Sequence, residues 1–455
     1  MSKLLLTFYG DDFTGSTDAL EQLTLAGVRT MLFIETPSVE RLKRFPGLQA
    51  IGMAGTSRAL GPNVMRRELT PAFKKLKALG ARHVHYKVCS TFDSSPEIGN
   101  IGCVLDVAEK IFRAPFVPLL AAAPSLGRFT IFGTHFARYG IGSNGTIFRL
   151  DRHPSISRHP ITPMLEADLR VHLAKQTKKK IALFDILQIA LPERACRAEL
   201  NSVLKERPDA VLFDALSPEH LARIGSLIDG FASAKQPLFS IGSSGIEAAL
   251  TRWWGERPRE PSSALSRQLA RTFARPAKQI LVGSGSCSPV TEGQIAWALK
   301  NGFAEVALNA AVFSSREKVR KEIGRATVEA VRFLKVGRSV IVHTTRRGAN
   351  KRVANKLKGA TGHVLGTALG RVLRNALQQT KIQRLCIAGG DTSSFAARAL
   401  GIEALEMIAP LTPGAPLCRA IAPNSPADSL EIVFKGGQVG AENYFGVVKR
   451  GRNFS

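Results

Sequence analysis

The sequence predicts an α/β protein of two domains, each a mainly parallel sheet flanked by helices. Short apolar runs alternate with amphipathic stretches along almost the whole chain, as expected for repeated strand–helix units. At 455 residues the chain is too long for one hydrophobic core, so two domains are expected. Residues 253–278, which are rich in charge, proline and serine, interrupt the alternation. We therefore predict domains at 1–252 and 279–455, joined by a linker at 253–278.

The first half supplies most of the predicted elements. Apolar or alternating runs predict strands at 4–6, 28–34, 48–54, 83–89, 116–123, 181–184, 210–213 and 238–242. Helical spacing predicts a helix after Asp12, with Thr14 or Ser16 as its cap, and further helices at 38–45, 65–79, 101–112 and 166–176. Residues 125–163 lack clear periodicity, which predicts long loops with a hairpin around residues 143–145.

A pair of adjacent carboxylates, Asp11 and Asp12, follows the first predicted strand where it turns into a helix. Ligands bind at this end of the strands in open α/β sheets. Two like charges side by side repel, which suggests a cation, a substrate hydroxyl or a proton for them to hold. The alternative is that one Asp caps the helix while the other is solvated.

Basic and hydroxyl side chains follow two further predicted strands, at the same end as the two carboxylates. They are Arg58, Lys87, Ser90 and Thr91. Arg and Lys suit a carboxylate, and hydroxyl groups suit the oxygens of a polyol. The alternative is that Arg58 and Lys87 are ordinary surface residues. His83 and His85 lie on one face of a strand without an evident third ligand, so we expect them to be structural rather than metal-binding.

The second half restarts with a predicted strand at 279–282 and contains three glycine-rich turns after strands. The turns are 283–288 (GSGSCS), 386–394 (CIAGGDTSS), which opens a helix at 395–400, and 435–440 (KGGQVG). Glycine lets backbone N–H groups come close to a ligand, and a helix N-terminus favours negative charge. Three such turns in one domain predict a phosphate cradle. None of them fits the P-loop or the dinucleotide-binding pattern, so another arrangement would hold the nucleotide.

The composition limits the classes of partner and compartment. Lys and Arg exceed Asp and Glu by 27, a charge that suits nucleic acid, an acidic membrane surface or an anionic small substrate. The basic residues are spread out and not interleaved with aromatic residues, so we predict a basic solvated surface and no nucleic-acid or membrane partner. Six scattered cysteines predict neither a zinc site nor disulfides, and the early acidic residues argue against a signal peptide. We expect a cytoplasmic protein.

Nine short motifs then resemble those of one known family, the four-carbon acid sugar kinases, and span nearly the whole chain in the family's order. They are 10–15 (GDDFTG), 56–58 (TSR), 86–93 (YKVCSTFD), 99–102 (GNIG), 159–164 (HPITPM), 284–288 (SGSCS), 388–393 (AGGDTS), 413–416 (PGAP) and 435–440 (KGGQVG). The motifs at 86–93 (YKVCSTFD) and 159–164 (HPITPM) look most like the 3-oxo-tetronate kinase branch. Two stretches depart from the family: KGGQVG stands where KSGNFG is usual, and the loop 125–158 carries extra His and Arg.

The resemblance implies an acid-sugar domain followed by an ATP-binding domain, with the active site in the cleft between them. Carried over by motif, the substrate-binding residues are Asp12, Arg58, Lys87, Val88, Cys89 and Ser90. The ATP-binding residues are Ser286, Gly389, Gly390, Asp391, Thr392, Gly436, Gly437, Gln438 and Val439. For phosphoryl transfer we predict Asp12 as the proton acceptor, with Asp11 as the second candidate, and Mg²⁺ bridging the phosphates.

Three other functions compete with an ATP-dependent kinase of a four-carbon acid sugar. An inactive homologue would only sense the metabolite, and a nucleic-acid-binding protein would use the basic charge. An aspartyl-phosphate phosphatase is excluded, because aligning Asp12 and Thr14 with its DxDx[TV] signature puts Gly10 at the nucleophile. The sequence leaves open the identity of the acid, the metal ligands and whether the chain forms a homodimer.

Overall fold

The computed structural model describes residues 4–140, 145–159, 162–255, 274–309, 315–344 and 361–452. The chain divides into two units. Unit 1 comprises Met1–Met31 and Glu35–Arg267, and unit 2 comprises Leu32–Ile34 and Gln268–Ser455. Most of the predicted linker lies outside the described residues. Its first residues, Trp253 and Trp254, continue a helix of unit 1, and their indole N–H groups donate to Asp229.

Unit 1 is built from strand–helix repeats. Its strands are β1 Leu6–Gly10, β2 Thr30–Phe33, β3 Ala50–Ala54, β4 His83–Lys87, β5 Val117–Leu120, β6 Arg128–Ile131, β7 Thr134–Arg138, β8 Ile147–Arg149, β9 Ile181–Phe184, β10 Ala210–Phe213 and β11 Leu238–Gly242. The last two residues of β2 are counted in unit 2. Its helices are α1 Phe13–Leu25, α2 Val39–Leu42, α3 Pro62–Ala78, α4 Ile101–Glu109, α5 Leu169–Ala174, α6 Ile186–Ala190, α7 Glu193–Lys205, α8 Pro218–Asp229 and α9 Gly245–Gly255.

The main sheet of unit 1 is parallel, in the order β3-β1-β4-β11-β5-β10-β9. A core of apolar side chains packs against it. Within this core Tyr9 stacks on Tyr86 with ring centroids 5.8 Å apart, and Phe73 meets both rings edge-on. Such aromatic packing contributes beyond the area it buries. It fixes β1 and β4, the two strands that precede the predicted substrate residues.

Unit 2 repeats the pattern with fewer elements. Its strands are β12 Ile280–Ser284, β13 Ala304–Ala307, β14 Val340–His343, β15 Arg384–Ala388, β16 Ala404–Thr412, β17 Ala415–Ile421 and β18 Glu431–Lys435. Its helices are α10 Pro289–Lys300, α11 Arg316–Lys335, α12 Thr361–Gln379, α13 Gly390–Ala399 and α14 Tyr444–Arg450. The order is β13-β14-β12-β15-β18-β17-β16, parallel up to β18, with β17 and β16 antiparallel. The predicted α/β class is therefore confirmed.

A buried arginine joins the two ends of unit 2. Arg384 begins β15, is 1% exposed and forms an ion pair with Glu431. Its guanidinium also donates to the carbonyl oxygens of Arg275, Val448 and Lys449. A buried charge is tolerated only when it is paired and hydrogen-bonded, as it is here.

The prediction of long loops at 125–163 is wrong, because β6, β7 and β8 form an antiparallel sheet there. The strands are short and mix Arg, His and Thr with apolar residues, which hides the two-residue period. Phe132 and Gly133 both have positive φ, 48° and 77°, as a tight two-residue hairpin requires. The Asp214 carboxylate accepts a hydrogen bond from Gly133 N at 3.0 Å and holds this turn. Most of the hairpin predicted around 143–145 lies outside the described residues.

The described helices include none that is long and apolar enough to cross a membrane.

Candidate functional site

The ends of the central strands of unit 1 are level with one another. Gly10 of β1 is in register with Ala54 of β3 and Lys87 of β4, and Lys87 is in register with Gly242 of β11. Residues that follow these strands therefore share one edge of the sheet. Backbone bonds hold this edge together, since Asp11 N donates to Lys87 O at 2.8 Å and Arg58 N donates to Asp11 O at 3.1 Å.

Asp12 caps the first helix and pairs with an arginine. It is the N-cap of α1, and its Oδ1 accepts from Gly15 N at 2.7 Å, so the prediction that Thr14 or Ser16 caps this helix is wrong. Its Oδ2 accepts from Thr14 Oγ1 at 2.8 Å and lies 2.8 Å from an Arg58 guanidinium nitrogen. Although burial alone would raise the pKa of Asp12, Arg58 holds it below its usual value. Asp12 is thus ionised at neutral pH.

Asp11 is in the opposite state. It is 3% exposed, and among the described residues its Oδ1 has no hydrogen-bond partner. Burial, followed by the neighbouring carboxylate of Asp12, raises the pKa of Asp11 to about 7. The alternative prediction is therefore half right: Asp12 caps the helix, but Asp11 is buried and not solvated. A carboxyl group that exchanges its proton near neutral pH suits a general base.

Lys87 lies beneath the pair in a buried polar cluster. Its side chain is 1% exposed, and Nζ donates to Val88 O at 2.9 Å and lies 3.3 Å from Asp18 Oδ2. Burial would lower the pKa of this amine, but nearby carboxylates, Asp18 first, hold it above its usual value. Lys87 is therefore a buried cation and not the ordinary surface residue of the alternative prediction, and its charge acts to lower the pKa values of Asp11 and Asp12.

Glu247 and His85 complete this cluster. His85 Nε2 lies 3.6 Å from Glu247 Oε1, and neither that nitrogen nor either Glu247 oxygen has a hydrogen-bond partner among the described residues. Burial raises the pKa of Glu247 to about 8 and lowers the pKa of His85 to about 3. Both groups are thus neutral near pH 7. His83 bonds to Asp229, and His85 Nδ1 lies 3.0 Å from Ser240 Oγ, which confirms the structural role expected for both histidines.

The segment after β4 lies against the β6–β8 sheet. Val88 is buried in the core, and its N donates to Gly242 O, so its backbone and side chain are both occupied within the protein. Ser90 O accepts a hydrogen bond from His135 Nε2 at 2.9 Å. Cys89 Sγ is 3.0 Å from Thr91 Oγ1, and burial raises the pKa of this thiol to about 12. At neutral pH it is a thiol and not a nucleophile.

Several charged residues of this region were not found by sequence reasoning. They are Asp18, Asp93, Arg128 and Glu247. Asp18 had a usable signal, since it lies in the second turn of the helix that begins directly after the two carboxylates. Glu247 and Arg128 come from distant elements, and nothing in their own sequence neighbourhood indicates a site.

In unit 2 the three glycine-rich turns follow neighbouring strands. Ser284 of β12 is in register with Ala388 of β15, which is in register with Lys435 of β18. The first turn bonds to the second strand through Gly285 N and Ala388 O at 3.0 Å, and Gly389 N bonds to Lys435 O at 2.9 Å. The turns therefore converge at one edge of the sheet.

Side chains and glycines of the three turns are in contact range. A Cβ at Gly285 would clash with Thr392 Oγ1, and one at Gly389 would lie 3.2 Å from Ser286 N. A Cβ at Gly437 would be 3.0 Å from Ser286 Oγ. The turns can thus lie this close together only because these three positions carry no side chain. Such closely packed turns present backbone N–H groups of the kind that bind phosphate.

The second turn differs from its prediction in one respect. Gly389, with φ of +121°, is the N-cap of α13, and the helix begins at Gly390. The helix predicted at 395–400 therefore begins five residues earlier, and Thr392 and Ser393 lie inside its first turn. Asp391 lies in the same turn. Gly389 has no side chain that could cap the helix, and the first N–H groups of a helix have no partner within it.

The third turn is held by the helix that follows the first. Gln294 of α10 donates to Val439 O and Gly440 O at 3.0 Å, and Thr291 Oγ1 donates to Gly437 O at 3.0 Å. Val439 N donates in turn to Gly436 O. Gln438 is half-buried between them. These bonds fix the backbone of this turn.

Comparison with protein families gives two matches that together cover most of the chain. Residues 6–250 match the family described as sugar-binding N-terminal domain. Residues 281–445 match the family described as nucleotide-binding C-terminal domain.

Similar proteins span the whole length of the chain. A 3-oxo-isoapionate kinase of Paraburkholderia graminis is 41% identical over 99% of this chain and 95% of its own length. A 3-oxo-tetronate kinase of Pseudomonas savastanoi pv. phaseolicola is 29% identical over 97% of this chain and 96% of its own.

Among solved structures, a Haemophilus influenzae protein of family DUF1537 superposes with a TM-score of 0.66 at 21% identity, covering 97% of this chain and 99% of its own. At this identity the likeness concerns the fold alone.

Proposed function

We propose that this chain, which belongs to the family that joins a sugar-binding N-terminal domain to a nucleotide-binding C-terminal domain, is an ATP-dependent kinase of sugar acids. The observation that carries the proposal is its 41% identity to a 3-oxo-isoapionate kinase along 99% of the chain. Both halves are matched, so both the sugar-acid part and the nucleotide part of the activity are retained. The predicted resemblance to acid sugar kinases is confirmed.

The substrate is proposed to be a 3-oxo sugar acid. The relatives at 41% and 29% identity are named for 3-oxo-isoapionate and 3-oxo-tetronate, which share a carboxylate, an oxo group and hydroxyls. The higher identity favours the isoapionate type over the tetronate type suggested by the motifs. Arg58, a guanidinium that is 20% exposed at the strand edge, is the residue proposed to bind the substrate carboxylate.

Asp11, rather than Asp12, is the proposed proton acceptor. Asp12 already accepts hydrogen bonds from Gly15 N and Thr14 Oγ1 and pairs with Arg58. Asp11, in contrast, has an oxygen without a hydrogen-bond partner among the described residues. A base works best when its pKa lies near the working pH, which is the case for Asp11. In this mechanism Asp11 removes the proton from the attacking hydroxyl, while Asp12 orients Arg58.

The three turns of unit 2 are proposed to bind the nucleotide phosphates. The N–H groups at Gly389 and Gly390, at the start of α13, favour negative charge, and the hydroxyls of Ser286 and Thr392 line the same place. The described residues contain no cluster of three or more His, Cys, Asp and Glu side chains that could hold a metal, which suits Mg²⁺ that arrives on the phosphates. When bound, it would neutralise charge on the β- and γ-phosphates.

The test is an ADP-release assay with purified protein, ATP and Mg²⁺ against a panel of acid sugars. The panel contains 3-oxo-isoapionate, the 3-oxo-tetronates, threonate and erythronate. We expect ADP formation that depends on the acid, with the highest kcat/KM for a 3-oxo acid.

Two outcomes would contradict the proposal. Binding of an acid sugar without ADP formation would favour a metabolite sensor. Binding of DNA that weakens steeply with salt, together with no thermal stabilisation by Mg²⁺–ATP, would favour a nucleic-acid-binding protein.

A further inference from the structure

Lys435, the last residue of β18, is a fully buried lysine that directly precedes the third glycine-rich turn. Its side chain is 0% exposed. Its Nζ donates to Thr291 Oγ1 at 2.9 Å. The same nitrogen lies over the Tyr444 ring, 5.5 Å from the ring centroid. A lysine buried to this extent is rare unless a charge compensates it.

No compensating charge faces this amine among the described residues. The titratable groups around it are the Cys386 thiol from β15 and the Tyr444 phenol from α14, while α10 contributes the Thr291 hydroxyl. Burial raises the pKa of Cys386 to about 12, so the thiol is neutral and provides no anion. Within the described part of the chain, the lysine therefore has no counter-ion.

Hydrogen bonds connect the same lysine to two of the glycine-rich turns. Its carbonyl oxygen accepts from Gly389 N at 2.9 Å, and Thr291, which accepts from its amine, donates to Gly437 O at 3.0 Å. The amine is thus linked through a single hydroxyl group to the backbone of a turn that is proposed to hold phosphate. An anion bound at these turns would supply the missing charge.

We infer that Lys435 is the internal counter-charge of the bound nucleotide phosphates and that its amine takes up a proton when the nucleotide binds. The inference rests on the proposed function, since it needs a nucleotide at the three turns. The proton comes from solvent, forms the N–H bond of an ammonium group, and returns to solvent when the nucleotide leaves. Lys435 contacts no reacting atom and is a positioning residue.

The protonation state in the absence of nucleotide agrees with this inference. Burial lowers the pKa of Lys435 to about 7, so the amine is mostly neutral at pH 8. A phosphate nearby raises the pKa again, because an opposite charge favours the charged form. Nucleotide binding should then take up close to one proton at pH 8 and roughly half a proton at pH 7.

The test is isothermal titration of the full chain with ATP and Mg²⁺, without acid sugar, in buffers of different ionisation enthalpy at pH 7 and pH 8. The slope of the observed enthalpy against the buffer enthalpy gives the protons taken up. We expect the wild-type slope to be near one at pH 8. Above pH 7 the Kd for ATP should rise up to about tenfold per pH unit.

Lys435→Met removes the amine with little change in volume, and Lys300→Met is the matched control at an exposed position of α10. For Lys435→Met we expect no proton uptake, a Kd for ATP at pH 7 raised roughly tenfold and no dependence of Kd on pH between 7 and 9. Lys300→Met should behave as the wild type.

The outcomes separate this inference from the proposed function. If the wild type binds ATP without proton uptake, or if uptake persists in Lys435→Met, the inference is wrong while the kinase proposal survives. If the wild type binds no ATP, both are wrong. The wild-type slope alone decides the inference should Lys435→Met fail to fold.

Discussion

Replacing Asp11 by Asn should abolish turnover and at the same time stabilise the fold. The carboxyl group is buried, its Oδ1 has no partner among the described residues, and its pKa is raised to about 7. Removal of a positioned base typically lowers kcat by roughly 10²–10⁴-fold. The backbone bonds of residue 11 to Lys87 O and Arg58 N do not involve the side chain and should persist.

The stabilisation follows from the sign of the pKa shift. Between pH 3.8 and about 7 the folded protein keeps a proton on Asp11 that the unfolded chain has lost, so stability falls as pH rises through this window. The full rise in pKa is equivalent to about 4 kcal/mol above pH 7, an upper bound because the two aspartates titrate together. Asn carries no such cost, so Asp11→Asn should gain stability at pH 8 and little at pH 4.

The assays are kcat as a function of pH from 5.5 to 8.5 and urea unfolding at pH 4 and pH 8. Wild-type kcat should fall about tenfold per pH unit below pH 7, since the base must be ionised. Asp12→Asn is the matched control, because Asn caps a helix as well as Asp does. It removes the charge that raises the pKa of Asp11, so its kcat profile should shift to lower pH.

Two results would refute this reasoning. Asp11→Asn with more than about a tenth of wild-type kcat would show that Asp11 is not the base. Loss of stability at pH 8 in that variant would show that the carboxyl group is structural.

Three further changes test the rest of the site. Arg58→Ala should raise the KM for the acid sugar by about 10–100-fold and leave the KM for ATP unchanged, because a charge-assisted bond is worth roughly 1.5–3 kcal/mol; a selective rise in the ATP KM would contradict it. Gly389→Val should abolish ATP binding in calorimetry, since φ is +121° and a Cβ would press on Ser286 N, whereas Gly293→Ala in open space should bind normally. Glu247→Gln should raise the melting temperature at pH 8 and not at pH 4.5, because stability is lost as pH rises to the pKa of about 8; equal gains at both pH values would refute the cause.

The parts of the site that could be predicted from sequence are those in which several signals coincide. Asp11 and Asp12 follow an apolar strand and precede a helix, so their place at the sheet edge needed no tertiary information. Which of them is the base could not be predicted. That choice depends on Arg58, which is 46 positions away and comes to Asp12 only because β1 and β3 lie side by side.

Other features are invisible in a local pattern. The start of α13 depends on the backbone conformation at Gly389, which no residue pattern reveals, so the sequence predicts a helix that begins five residues too late. The β6–β8 sheet has strands of three to five residues, too short for a period to emerge. Glu247 gains its raised pKa from burial by distant elements and has no signal in its own neighbourhood.

The guanidinium of Arg384 has a consequence for protein engineering. It binds carbonyl oxygens of Arg275, near the start of the described part of unit 2, and of Val448 and Lys449, near its end. Ala277 N also donates to Lys449 O at 2.8 Å, so the two chain segments are adjacent. A fusion partner placed after residue 452 leaves this arrangement intact. Deletion of α14 would remove two of the carbonyl oxygens that bind the buried Arg384 guanidinium. A short bridge from residue 451 to 274 would also close the unit for circular permutation, with new termini in an exposed loop.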